Sequence, residues 1–118
     1  MAGLTEISEL TLPHGRKVML VEDEYLLAAD LANGLTAMGA EVYGPFATVR
    51  DALKHLQSGP APDFAILDIN LRGEMVFPVA DHLLAAAIPF VFVTGYDSGV
   101  LPAPYSSIPK LEKPLNLW

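Results

Sequence analysis

Phe64-Ala65-Ile66-Leu67-Asp68 is the stretch that decides the fold. Four apolar residues in a row follow a loop marked by Pro60 and Pro62 and stop at an aspartate. The run is too short for a buried helix and lacks the alternation of a half-exposed strand, so it reads as a strand buried on both faces. Two more runs of this kind lie on either side of it: Val18-Met19-Leu20-Val21, ending in Glu22-Asp23-Glu24, and Phe90-Val91-Phe92-Val93, ending in Thr94-Gly95. Val42-Tyr43 with Phe46 is a weaker strand, interrupted by Gly44-Pro45, and Ile108 to Glu112 is a marginal one before Lys113-Pro114.

The segments between these runs have helical period. Leu27, Leu31, Leu35 and Met38 recur at three- and four-residue steps and predict a helix from Leu26 to Met38, stopped by Gly39. Thr48 with Asp51 three residues on resembles a capping box and opens a helix from Val49 to Gln57, with Val49, Leu53 and Leu56 inward. Pro78 to Ala87 has helical composition, and proline is tolerated in a first turn. Leu71 to Val76 reads as a loop around Gly73. The stretch with Gly99, Pro102, Pro104, Ser106 and Ser107 is poor helix material. Strands apolar on both faces that alternate with helices predict an α/β fold with a parallel sheet covered on both sides, its fourth helix degraded.

The 118 residues fit one domain, read as a leader over residues 1–15 and a folded unit over residues 16–118. Hydrophobic residues are 52% and charged residues 18%, which supports a filled core and argues against global disorder. A formal charge of −7 gives no electrostatic footprint for nucleic acid. The absence of cysteine excludes disulfides, thiolate catalysis and cysteine-ligated zinc. The first residues carry Glu6 and Glu9 and no basic residue before Arg16, unlike a signal peptide, and no apolar run approaches a membrane span. A cytoplasmic location is the expectation.

In an open parallel sheet ligands bind outside the carboxyl ends of the strands. Here those ends deliver Glu22 and Asp23, then Asp68, then Thr94, then Lys113: three carboxylates, a hydroxyl and an ammonium. Three carboxylates pressed together repel, and a hard divalent cation such as Mg²⁺ relieves that while leaving positions for phosphate oxygens. A carboxylate can attack phosphorus to form an acyl phosphate, with Lys and Thr offsetting the charge of the other oxygens. Taken singly, each residue also has an ordinary structural role: a helix-start acid, a strand-end cap, a strand threonine, a surface lysine. The joint order along the chain is what points to chemistry.

These motifs resemble the response-regulator receiver family over residues 16–114: Val-Met-Leu-Val-Glu-Asp-Glu, Phe-Ala-Ile-Leu-Asp-Ile-Asn-Leu, Phe-Val-Thr-Gly and Leu-Glu-Lys-Pro. The resemblance implies a flavodoxin-like, doubly wound five-stranded sheet in the order 2-1-3-4-5. It implies Asp68 as phosphoacceptor, and Mg²⁺ held by Asp23, Asp68 and the backbone carbonyl of Asn70, with Glu22 reaching the metal through water. Thr94 and Lys113 would contact the phosphoryl group, and the donor would be a phosphohistidine on a sensor histidine kinase or histidine phosphotransfer protein. The implied role is signal relay rather than turnover of a separate substrate.

The sequence also departs from the family. Lys110 stands where the family usually has an aromatic residue, three before the lysine. Tyr96 follows Thr94 by two, and Pro-Phe-Val-Phe-Val-Thr-Gly-Tyr is similar to an atypical alphaproteobacterial subgroup, which makes Tyr96 a candidate switch. The resemblance implies a fifth helix after Lys113-Pro114, which is expected to be missing or truncated here; Leu115, Leu117 and Trp118 would then be the cover for the last strand, and an uncovered face of that kind invites pairing, as in a homodimer. Two other readings stand beside this one. An aspartate-nucleophile phosphatase of the haloacid-dehalogenase type would need an acid where Asn70 stands. A phosphate-independent binding module could keep the fold without using Asp68.

Overall fold

The computed structural model describes residues 15–95 and 101–113. The leader apart from Gly15, Tyr96 and the apolar residues after Lys113 lie outside the described residues, as does any helix beyond that lysine. In chain order the elements are β1 (Lys17–Val21), α1 (Tyr25–Ala37), β2 (Glu41–Phe46), α2 (Val49–Ser58), β3 (Phe64–Asp68), β4 (Asn70–Leu71), β5 (Glu74–Met75), α3 (Phe77–Ala85), β6 (Phe90–Thr94), a 3₁₀ turn (Ala103–Tyr105) and β7 (Lys110–Glu112).

Five strands form one parallel sheet in the order β2-β1-β3-β6-β7. Counting only those five, this is the expected order 2-1-3-4-5, and the fold is flavodoxin-like. The side-chain period of two sends alternate residues of each strand to opposite faces. Val18, Leu20, Ile66, Val91 and Val93 pack on one face against Leu31 and Leu35 of α1. Met19, Val21, Ala65, Leu67, Phe90 and Phe92 pack on the other against Val49 and Ala52 of α2 and Val79, Ala80 and Leu83 of α3. The three inner strands therefore need apolar residues on both faces, which is why β1, β3 and β6 read as unbroken runs.

Local chemistry sets the boundaries. The Thr48 hydroxyl accepts the Asp51 N–H at 3.1 Å and caps α2, as the sequence predicts. Gly39, at φ +95, ends the turn after α1, and the Ala40 N–H returns to the Leu35 carbonyl at 3.0 Å. Gly44 and Pro45 do not break β2: the strand runs through them, with a register shift against β1 between Met19 and Val21. The segment predicted as a plain loop holds an antiparallel hairpin, β4–β5, with Leu71 opposite Glu74. Between β6 and β7 the described residues contain only the 3₁₀ turn, in keeping with a degraded fourth helix. Its Tyr105 is buried, stacks on Phe77 with ring centroids 4.5 Å apart, and donates its hydroxyl to Asp81 of α3. That bond to a carboxylate, together with burial, holds the phenol up at about 12.

Candidate functional site

The sheet brings the strand ends to one edge. β1 runs into Glu22 and Asp23, β3 ends at Asp68, β6 at Thr94, and Lys113 follows β7. Backbone bonds fix this register: the Glu22 N–H donates to the Phe46 carbonyl at 2.9 Å, the Ile69 N–H to Val93 at 3.1 Å and the Lys113 N–H to Thr94 at 2.8 Å. One carboxylate oxygen from each of Glu22, Asp23 and Asp68 lies within 4.8 Å of the others. Glu22 and Asp68 are buried.

The Lys113 ammonium sits among these acids. Nζ is 3.1 Å from Asp68 Oδ2, 3.3 Å from the Glu22 carboxylate and 3.0 Å from Glu24 Oε1. Burial alone would lower the lysine, but the bonds to Glu24 and Asp68 and the charges of Glu22 and Asp68 outweigh it and hold the ammonium above its usual range. Asp68 Oδ1 also accepts the Asn70 N–H at 3.2 Å. Burial nevertheless pushes Asp68 up from its usual range, against the hydrogen bonds from its neighbours and the charge of Lys113. Glu22 is pushed up to about 8, first by burial and then by the facing Asp68 carboxyl. The two titrate as a pair, and the pair keeps a proton far above the pH where free carboxylates lose theirs.

Thr94 is buried, with its hydroxyl donating to the Gly95 carbonyl at 3.0 Å. The Asn70 side chain takes no part in the acidic cluster; its Oδ1 accepts the Gly73 N–H at 2.6 Å inside the hairpin. Glu24 and Arg72 were not singled out from the sequence. Glu24 was visible as the third acid of its run, but nothing there marks it as a partner of Lys113. Arg72 reaches Asp23 Oδ2 with its Nε at 3.2 Å.

The donor set suits a hard divalent cation. It offers carboxylate oxygens and no nitrogen or sulfur ligand, and Glu22 Oε1 is buried with no hydrogen-bond partner although the ammonium is 3.3 Å away. Glu22 also couples stability to pH. Its folded value lies above the unfolded one, so the folded state binds more protons between the two. Without divalent cation, stability is expected to fall as pH rises from about 4.5 to about 8 and to level off above that. Thermal melts across this range should show the decline in wild type and a flatter profile in Glu22→Gln. An equally steep profile in both would mean that Glu22 is not the group responsible.

The parallel sheet, with acids and a lysine at its carboxyl edge, defines a receiver-type signalling domain. Comparison with known proteins places the chain more closely: it belongs to the response-regulator receiver family. It is 36% identical to SdrG from Sphingomonas melonis Fr1, whose solution structure superposes with a TM-score of 0.77 over 90% of each chain. The receiver domain of the PhyR response regulator from Erythrobacter litoralis shares the fold, at 22% identity and a TM-score of 0.74 over 88% of this chain and 82% of that one. The Phyllosphere-induced regulator PhyR of Methylorubrum extorquens is 29% identical over 115 residues, which span 92% of this chain and 43% of that protein. The chain thus spans less than half the length of this curated relative. No family model matches the chain.

Proposed function

We propose that the chain is the phosphoacceptor of a two-component or phosphorelay pathway and that Asp68 carries the phosphoryl group. The observation that carries this reading is the Lys113 ammonium 3.1 Å from Asp68, beside the acids Glu22 and Asp23. An Asp68 carboxylate oxygen attacks phosphorus of a phosphohistidine, the P–N bond breaks, and the imidazole leaves with its electron pair. Glu22, Asp23 and Asp68, with the Asn70 carbonyl, would hold Mg²⁺, which supplies positive charge for the phosphoryl oxygens. Lys113 exchanges its bond to Asp68 for one to a phosphoryl oxygen, and the Thr94 hydroxyl turns from Gly95 to another. The work is positioning and charge compensation on the protein's own residue, so no separate substrate is turned over.

The partner is a sensor histidine kinase or histidine phosphotransfer protein. Tyr25 and Leu26, 82% and 76% exposed at the start of α1, offer it an apolar rim directly after Glu24. Phosphorylation shifts a pre-existing conformational equilibrium, with Thr94 and Tyr96 as switch residues. Residues 16–118 form the receiver, with residues 1–15 as a leader. The setting is cytoplasmic; among the described residues no helix is long and apolar enough to cross a membrane. SdrG from Pseudomonas melonis Fr1, 37% identical over 89% of each chain, has a solved BeF3-activated conformation, and BeF₃⁻ resembles a phosphoryl group in shape and charge. That likeness supports the reading.

Incubation with Mg²⁺ and a small acyl phosphate should add one phosphoryl group to the intact mass. The adduct should be absent in Asp68→Asn and in the presence of a chelator. No adduct in wild type from either the acyl phosphate or a phosphorylated histidine kinase would overturn the proposal.

A further inference from the structure

The two cations of the site divide its acids between them. Lys113 lies within 3.3 Å of Glu22, Glu24 and Asp68, while Asp23 is paired with Arg72. The Asp23 side chain is 8% exposed and that of Arg72 82%, so a largely exposed arm reaches from the solvent side to a mostly shielded carboxylate, its Nε 3.2 Å from Oδ2.

The backbone beneath the arm is unusual for an arginine. Arg72 and Gly73 are the two turn residues of the β4–β5 hairpin, at φ +55 and +93. A two-residue hairpin turn with both φ values positive favours asparagine, aspartate or glycine at its first position, where a larger side chain carries a steric cost. The hairpin holds that position firmly. Asn70 Oδ1 accepts the Gly73 N–H at 2.6 Å, the Val76 N–H donates to the Ile69 carbonyl at 2.9 Å, and Leu71 is buried. What this costly position supplies is a guanidinium aimed at Asp23.

The geometry points to Arg72 as an exchangeable counter-ion of the metal site: it neutralises Asp23 while no divalent cation is bound, and the cation must displace it to take Asp23 as a ligand. This rests on the reading of Glu22, Asp23 and Asp68 as a divalent-cation site. Arg72 is then a positioning residue that sets how tightly the receiver holds its metal, and the metal-free site is a closed ion-pair network rather than three bare acids. Part of the cation's binding free energy goes to breaking the Arg72–Asp23 pair, so removing the arm strengthens metal binding.

Calorimetric titration of the full chain with Mg²⁺ at constant ionic strength tests this. Arg72→Ala and Arg72→Asn should both bind Mg²⁺ about three- to fivefold tighter than wild type, the upper part of the range that an ion pair with an exposed partner commands. Arg72→Lys, which keeps the charge, should stay within about twofold, and Asp23→Asn should bind most weakly. Asparagine suits the turn and alanine does not, so an equal gain in both assigns the effect to charge. A gain in only one of them assigns it to the backbone and overturns the inference, as does unchanged or weaker binding in Arg72→Ala. If wild type neither binds Mg²⁺ nor accepts a phosphoryl group, the receiver reading falls together with this one. If wild type does both and Arg72→Ala binds Mg²⁺ no more tightly, only the role of Arg72 is lost.

Discussion

Replacing Lys113 by alanine is expected to slow acyl phosphate formation by about 100-fold or more, the usual cost of removing one charge-stabilising donor from a preorganised site. In the proposed reaction the ammonium leaves Asp68 for a phosphoryl oxygen, so its loss removes an interaction that grows as the reaction proceeds. The same change also touches stability. Nζ lies 3.0–3.3 Å from three carboxylates, and the side chains of Glu22 and Asp68 are 1% and 7% exposed. Leaving those acids without their cation should cost on the order of 1–3 kcal/mol near neutral pH, as for an unpaired buried group. The cost should grow from neutral pH toward about pH 9, where the pair loses the proton it keeps below about 8 and comes to bear two charges. Single-turnover rates and melts at both pH values measure the two effects separately. A variant that labels at the wild-type rate would remove Lys113 from the chemistry.

Gly44→Ala is expected to destabilise the fold by about 3 kcal/mol or more, the range reserved for a clash combined with backbone strain. Gly44 sits at φ +99, a conformation that L side chains rarely adopt. An added Cβ would lie 2.6 Å from the Leu20 carbonyl oxygen and 2.8 Å from the Phe46 nitrogen, both backbone atoms that cannot rotate away. Leu20 belongs to β1, which leads directly into Glu22, and the Glu22 N–H is bonded to the Phe46 carbonyl. Strain here therefore reaches the acidic site as well as the sheet edge. Chemical denaturation of the variant against wild type gives the magnitude, and a loss below about 1 kcal/mol would show that β2 shifts to make room.

Much of this architecture was legible in the residues because the sheet is buried on both faces. β1, β3 and β6 carry unbroken apolar runs because both their faces are covered, so their limits and the polar residues that end them stand out in the sequence. The helix starting at Val49 was equally plain, since Thr48 caps it as its spacing with Asp51 suggests. β2 was harder: it is an edge strand, only partly buried, and its Gly44-Pro45 step reads as a break although the strand continues through it. The β4–β5 hairpin was missed because each strand has two residues, too few to show a period. Within the site, Asp68, Thr94 and Lys113 follow from strand order alone. The partnership of Lys113 with Glu24 and of Arg72 with Asp23 depends on where long side chains reach, which no spacing in the chain encodes. The same holds for Tyr105, which lies in a proline-rich stretch that looks structureless yet contributes a buried ring to the core.

The central claim is that Asp68, among the crowded acids at this edge, is the one that becomes an acyl phosphate. Borohydride reduction tests it most directly, because it converts an aspartyl phosphate to homoserine and leaves free carboxylates untouched. After labelling with Mg²⁺ and a phosphodonor, peptide mapping should find homoserine at position 68 and nowhere else. Homoserine at position 23, the reduced counterpart of a glutamyl phosphate at position 22 or 24, or no reduced residue in protein that carries the phosphoryl mass would contradict the account.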